Sequence, residues 1–377
     1  MKELNENIVL IFFFISNNLV DKLLSKEIIR TYDNLGKIIC IDFPTGDIVE
    51  SEHVESRISF DKQRDKLIVY RNTKVFRYLS LVKFLVFRHK KFKNKIENLN
   101  ISKDHVVIFS SGNMVMDINP VWPKLISTYI KIFSSNKIFF TYVGVGPLDL
   151  LINKIYLRNV LNKVEKFTVR DRNSLIELNK IGVENVVSCL DPILKSNITI
   201  KENSGYSKIG IAILGQICFK SKKEYTNYIK SITNIIKRLI QEDREVVLFS
   251  TDSSDYDEIY KLVELNNIPD KLIKVVKSQK DIENLYKTLS FLVGGRMHSM
   301  ILAQQKVIPY LGFNWQNKIS ELFINVENQN IFKLTNELNN EKIHSIIQSS
   351  INNEVTQKHM IYINQKNNQK VVQGSLI

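Results

Sequence analysis

The sequence predicts an α/β protein of two doubly wound lobes facing a common cleft. Three observations predict it. Short apolar runs rich in Val, Ile and Phe alternate with amphipathic stretches along nearly the whole chain, the pattern of parallel strands buried on both faces. A polar stretch, Ser196 to Ser207, divides those runs into two series. The length of 377 residues suits two domains.

In the first series the predicted strands are Ile8–Ile15, Lys37–Ile41, Val106–Phe109, Ile138–Val143, Lys166–Val169 and Val186–Ser188. Helical periodicity falls between them, at Leu19–Thr31, Val121–Phe133, Leu151–Leu161 and Ser174–Ile181. The second series predicts strands at Ile209–Leu214, Glu245–Ser250, Leu272–Val275, Phe291–Val293 and Val307–Tyr310. Its clearest helix is Ser221–Gln241. Ser221 and Glu224 fit a capping box, and Tyr225, Ile229, Ile232, Ile235, Ile236 and Leu239 share one face. The organisation is therefore an N-terminal lobe over residues 1–200, a C-terminal lobe over 206–350 and a polar tail over 351–377. Ligands of such sheets bind beyond the carboxyl ends of the strands.

Hydrophobic residues are 44% and charged residues 24%, which excludes a mainly disordered, collagen-like or coiled-coil chain. Lys and Arg outnumber Asp and Glu by 53 to 39, a net charge of +14, so acidic partners are expected. The three cysteines, Cys40, Cys189 and Cys218, are scattered. That excludes a disulfide framework and fits a reducing compartment. The run Ile8–Ile15 is too short to span a bilayer and follows an acidic start rather than a basic one. A cytoplasmic protein is expected.

Only 13 residues are glycine, so their positions carry weight. Gly112 follows the strand Val106–Phe109. Gly144 and Gly146 follow Ile138–Val143, and Gly294 and Gly295 follow Phe291–Val293. Glycines there allow backbone amides to approach a ligand, or simply make tight turns. Arg170 comes directly after the strand Lys166–Val169, where a solvated charge is not expected. Asp171 beside it fits an N-cap for the helix at Ser174. Arg296 and His298 are placed the same way after Gly294-Gly295. In the first turn of a helix, His298 would sit at the positive dipole end, which favours a neutral imidazole able to exchange a proton. Lys318 is a weaker candidate that also fits a plain helix start.

Three blocks resemble the polysaccharide pyruvyl transferase family. The first is Gly144-Val145-Gly146-Pro147 before the helix at Leu151. The second is Thr168-Val169-Arg170-Asp171-Arg172-Asn173-Ser174, with Leu178, Gly182-Val183 and Asp191-Pro192. The third is Gly294-Gly295-Arg296-Met297-His298-Ser299, with Ala303, Pro309 and Lys318. The resemblance implies two Rossmann-like lobes of the glycosyltransferase B kind, with the acceptor on the N-terminal side and the donor on the C-terminal side. It implies transfer of a pyruvyl group from phosphoenolpyruvate to sugar hydroxyls of a surface polysaccharide or its precursor, forming a cyclic ketal. Arg170, Arg296 and Lys318 would then bind the donor's phosphate and carboxylate. The glycine amides, Gly112 and Asn113 would complete the substrate site. His298 would serve as acid and base, and Asp171 would orient Arg170 or cap its helix. The scheme requires no metal and no cofactor beyond phosphoenolpyruvate as donor substrate. Two places depart from the family pattern. The turn after the first strand reads Ser16-Asn17-Asn18-Leu19-Val20-Asp21 without glycine, and the turn after the third reads Ser111-Gly112-Asn113 in place of Gly-Gly. A nucleotide-sugar glycosyltransferase of the same architecture and an inactive scaffold therefore stay open.

From Lys66 to Ile96 ten basic residues and no acidic ones are interleaved with Val, Leu, Phe and Tyr. One basic helix is expected there, suited to an anionic membrane surface or to packing against a core with a solvated basic face. No nucleic-acid motif accompanies the charge.

Overall fold

The computed structural model describes residues 7–15, 19–50, 74–189, 192, 207–219, 221–252, 255–314, 319, 331–333 and 340–351. Two compact units divide after Pro192. Most of the polar stretch 196–207, the tail from Asn352, Lys66, Arg71 and Lys318 lie outside the described residues.

The first unit carries a seven-stranded sheet. Its strands are β1 (Ile8–Phe12), β2 (Ile38–Asp42), β3 (Ile48–Val49), β4 (Val106–Ser110), β5 (Lys137–Val143), β6 (Lys166–Val169) and β7 (Val186–Ser188). The order is β3-β2-β1-β4-β5-β6-β7. Every pairing is parallel except the short edge pair β2–β3. The helices are α1 (Leu19–Tyr32), α2 (Lys74–Phe87), α3 (His89–Glu97), α4 (Trp122–Ile132), α5 (Leu151–Leu161) and α6 (Arg172–Lys180). β1 and β4 are buried along their whole lengths, which is why they read as unbroken apolar runs. The described part of the basic stretch, from Lys74 on, is two helices, not one: the helix is interrupted at Arg88 between α2 and α3.

The second unit has five parallel strands, β8 (Lys208–Ala212), β9 (Val246–Phe249), β10 (Leu289–Gly294), β11 (Tyr310–Asn314) and β12 (Ile331–Lys333), in the order β12-β11-β10-β8-β9. Its helices are α7 (Lys222–Gln241), α8 (Tyr256–Leu265), α9 (Gln279–Tyr286), α10 (Met297–Gln305) and α11 (Asn340–Ser350). Ser221 caps α7 by accepting the Glu224 amide at 3.2 Å. Ile232, Ile235, Ile236 and Leu239 are buried in the core beside β8 and β9. Tyr228 is buried on that face, whereas Tyr225 is half exposed and donates its hydroxyl to Glu258.

Two expected strands are corrected. Leu272–Val275 is no ladder: a 3-10 turn over Asp270–Leu272 is followed by a lone bridge from Ile273 to Leu248. Of Val307–Tyr310 only Tyr310 is in a strand, the first residue of β11. Val307 holds a left-handed φ of 56° and Pro309 has no amide to donate, so the chain is still turning there.

In each sheet one strand is flanked by the next strand on one side and a later one on the other. β1 lies between β2 and β4, and β8 lies between β9 and β10. Such switch points open a crevice at the carboxyl ends of the strands. They lie between β1 and β4 in the first unit and between β8 and β10 in the second.

Candidate functional site

In the first unit the ends of β4, β5 and β6 are tied into one collar. Gly144 donates its amide to Gly112 O at 2.7 Å, and Gly146 donates to Val115 O at 2.8 Å. Val145 donates to Ser174 Oγ at 2.7 Å. Asp171 Oδ1 accepts both the Ser174 amide and its hydroxyl, each at 2.8 Å. Asp171 is thus the N-cap of α6 and, through Ser174, the anchor of the Gly144–Pro147 turn. Asn113 Nδ2 donates to Gly146 O at 3.0 Å. Arg170 is buried at the head of this collar, its amide on Val143 O at 3.4 Å.

These bonds correct one expectation. The amides of Gly144 and Gly146 are spent inside the protein, as is that of Gly295, which donates to Ala212 O at 3.1 Å. The glycines answer to conformation and packing instead. Gly112 and Gly146 have φ of +67° and +89°, where a Cβ is strained. A Cβ on Gly294 would lie 2.5 Å from Met300 Cγ, and one on Gly295 would lie 2.5 Å from Leu214 Cγ.

The first switch point holds a concavity of about 400 Å³ lined by Phe13, Asp21, Asp42, Thr45, Asn113 and Trp122, among others. Trp122 packs on Phe13 with ring centres 4.9 Å apart. Asp42 closes β2 and is almost wholly buried. Its Oδ1 accepts the Ile15 amide at 2.9 Å, and its Oδ2 accepts the Thr45 hydroxyl at 2.8 Å. Burial pushes its carboxyl pKa above the ordinary value, and these hydrogen bonds offset only part of that. Asp42 and Trp122 escaped the sequence reading. The available signal was a carboxylate directly after the buried run Cys40-Ile41.

In the second unit β10 leads through Gly294 and Gly295 to Arg296, the N-cap residue of α10. The close approach to β8 requires Gly295 there, since Ala212 O would stand 2.9 Å from a Cβ. Arg296 Nε and Nη2 fork onto Asp255 Oδ2 and Oδ1 at 2.8 and 2.7 Å, and Asp252 stands 3.4 Å away. Asp255 has no exposed surface. It also accepts the Gly215 amide at 3.0 Å and the Ser250 hydroxyl at 2.7 Å. Burial by itself would lower the pKa of Arg296, but the hydrogen bonds and charge of Asp255 outweigh it, so the guanidinium is held charged. Asp255 lies 41 residues before Arg296, and no local pattern marks it. His298 is the second residue of α10, half-buried. Arg296 and His298 are thus brought to the second switch point, at the carboxyl end of β10.

The sequence profile of the polysaccharide pyruvyl transferases matches residues 55–317. The chain belongs to the polysaccharide pyruvyl transferase family. As a member it is a transferase. No curated protein sequence matches the chain. Among solved structures it is similar to a glycosyltransferase from Rickettsia africae ESF-5, at 13% identity and a TM-score of 0.55, covering 98% of this chain and 94% of that one. It is also similar to HepE from Anabaena, solved in complex with UDP and glucose, at 9% identity and a TM-score of 0.56, covering 98% and 97%. These likenesses bear on the fold: this pyruvyl transferase family member has the two-lobed Rossmann-like architecture of GT-B glycosyltransferases.

Proposed function

We propose that this family member transfers the pyruvyl group of phosphoenolpyruvate to two hydroxyls of a glycan, giving a pyruvate ketal on a cell-envelope polysaccharide or its precursor. The observation that carries the reading is Arg296, locked by Asp255 one residue before α10, with His298 in the first turn of that helix. A guanidinium held rigidly at a helix N-terminus suits an anion. Phosphoenolpyruvate carries two anionic groups, a phosphate and a carboxylate. Arg170 keeps the role of anion ligand that the family resemblance gives it.

His298 takes up a proton and delivers it to the methylene carbon of the donor. The double bond is consumed, a methyl group forms, and C2 becomes oxocarbenium-like. The first sugar hydroxyl attacks C2 and returns its proton to the imidazole. The C2–O bond to phosphate then breaks, and the second hydroxyl attacks. Of the two hydroxyl protons, one replaces that spent on carbon and the other leaves with phosphate. The concavity of the first unit is assigned to the acceptor. The faces of Trp122 and Phe13 suit the C–H side of a sugar, and Asp21, Asp42 and Asn113 suit its hydroxyls. The donor is a cytoplasmic metabolite, and the reading puts the enzyme in the cytoplasm.

Mixing the protein with phosphoenolpyruvate and candidate glycans tests this. Phosphate release that depends on both supports it. Nucleoside diphosphate release from a nucleotide sugar, with none of phosphate from phosphoenolpyruvate, would establish a glycosyltransferase instead.

A further inference from the structure

We propose that α2 and α3 dock the protein on an anionic membrane surface. α2 touches the rest of the first unit along a narrow stripe in which Arg77 and Leu81 are buried. On the opposite side, at four- and three-residue spacings, stand Val75, Leu79, Val82 and Val86, 70%, 61%, 54% and 67% exposed, and Phe87 at the helix end is 75% exposed. A surface helix ordinarily turns its apolar stripe inward; α2 turns this one out. Contiguous exposed apolar surface of this kind marks an interaction site.

The charge beside the stripe selects the partner. Lys74, Lys83, Arg88, Lys90 and Lys91 are exposed on α2 and α3 and the link between them. α2 has no acidic residue. The acid of α3, Glu97, sits at its far end and pairs with Lys93 at 3.4 Å. Aliphatic side chains flanked by cations match a bilayer interface with anionic headgroups. A second copy of the same surface would bring cations against cations, and nucleic acid offers little to an aliphatic stripe. At 14 residues α2 is too short to cross a bilayer, so it would lie in the interface plane.

The helix is anchored by a buried cation. Arg77 Nη1 donates to Asp117 Oδ1 at 3.0 Å, and its Nη1 and Nη2 donate to Asp149 Oδ2 at 3.1 and 3.2 Å. Asp117 Oδ2 in turn accepts the amides of Asp149 and Leu150 at 2.8 and 2.6 Å. The helix is thereby pinned to the turn that follows β5, and the outward stripe follows from that attachment.

The test is co-sedimentation of the full chain with phosphatidylcholine vesicles, with and without phosphatidylglycerol. The protein should pellet with the anionic vesicles at low salt, and salt should release it. Leu79→Glu with Val82→Glu should abolish pelleting. Lys90→Glu with Lys91→Glu, which leaves the apolar stripe intact, should weaken it by roughly tenfold or more. All variants should melt like the parent, since the altered side chains are exposed. Failure of the parent to pellet with anionic vesicles at low salt overturns the proposal. So does undiminished pelleting of either well-folded variant. A dimer that Leu79→Glu with Val82→Glu converts to monomer would assign the stripe to a second copy and overturn it as well.

Discussion

Replacing Asp255 by Asn tests how Arg296 is held. The carboxylate receives four donors on two oxygens: Gly215 N and Arg296 Nη2 on Oδ1, Ser250 Oγ and Arg296 Nε on Oδ2. Asparagine keeps one oxygen and sets an NH2 group against the donors that met the other. The Arg296 side chain, only 18% exposed, also loses its counter-charge. Breaking a buried pair on one side costs about 3–5 kcal/mol. Asp252 at 3.4 Å from the guanidinium remains as partial compensation, so the lower end, about 3 kcal/mol, is expected. Arg296→Met leaves Asp255 buried without its cation and should cost a similar amount. The double variant has no stranded charge and should cost clearly less than the sum. Urea unfolding of the parent, both single variants and the double variant measures this cycle. If the two losses add to within about 0.5 kcal/mol, the pair is not coupled, and Asp255 does not position Arg296.

Three further outcomes follow from the same geometry. His298→Ala should reduce phosphate release from phosphoenolpyruvate by about 10²–10⁴-fold with an unchanged melting temperature, and near-parental turnover would remove His298 from the chemistry. Gly295→Ala places a Cβ 2.5 Å from Leu214 Cγ and 2.9 Å from Ala212 O, and should destabilise the protein by about 1–3 kcal/mol in thermal melts. Asp42 has a raised folded pKa, so the folded state holds its proton more tightly than the unfolded state. That contribution is full below the ordinary value of 3.8 and is lost as pH rises through the folded value. Asp42→Asn removes it, so the variant should gain on the parent as pH rises from 3.8; parallel melting curves would refute the assignment.

Much of the fold was legible because local and tertiary preferences agree. Lys166–Val169, Val186–Ser188 and Leu151–Leu161 fall where the sequence predicts them. Asp171 and Ser221 cap their helices as their spacing implies. Where the reading failed, an apolar run had a second use. Leu272, Ile273 and Val275 are apolar because they pack against the core of the second unit, not because they form a ladder. For α2 the sequence left both faces open. Its periodicity fixes a helix, but periodicity does not say which face meets the protein.

The sequence by itself determined the alternation of strand and helix, the two series and the family blocks in which Arg170, Arg296 and His298 stand. These depend on side-chain chemistry within a few residues, which the chain order carries directly. Only the tertiary structure decided that Asp255 grips Arg296 across 41 residues, that Asp42 and Trp122 line the same concavity, and that the glycine amides bond to neighbouring segments. Strand order does that work: β10 lies beside β8 rather than beside β9, and β4 beside β1 rather than beside β3. A hydrogen bond acts over about 3 Å, and which groups come within that range is set by the sheet and not by the chain.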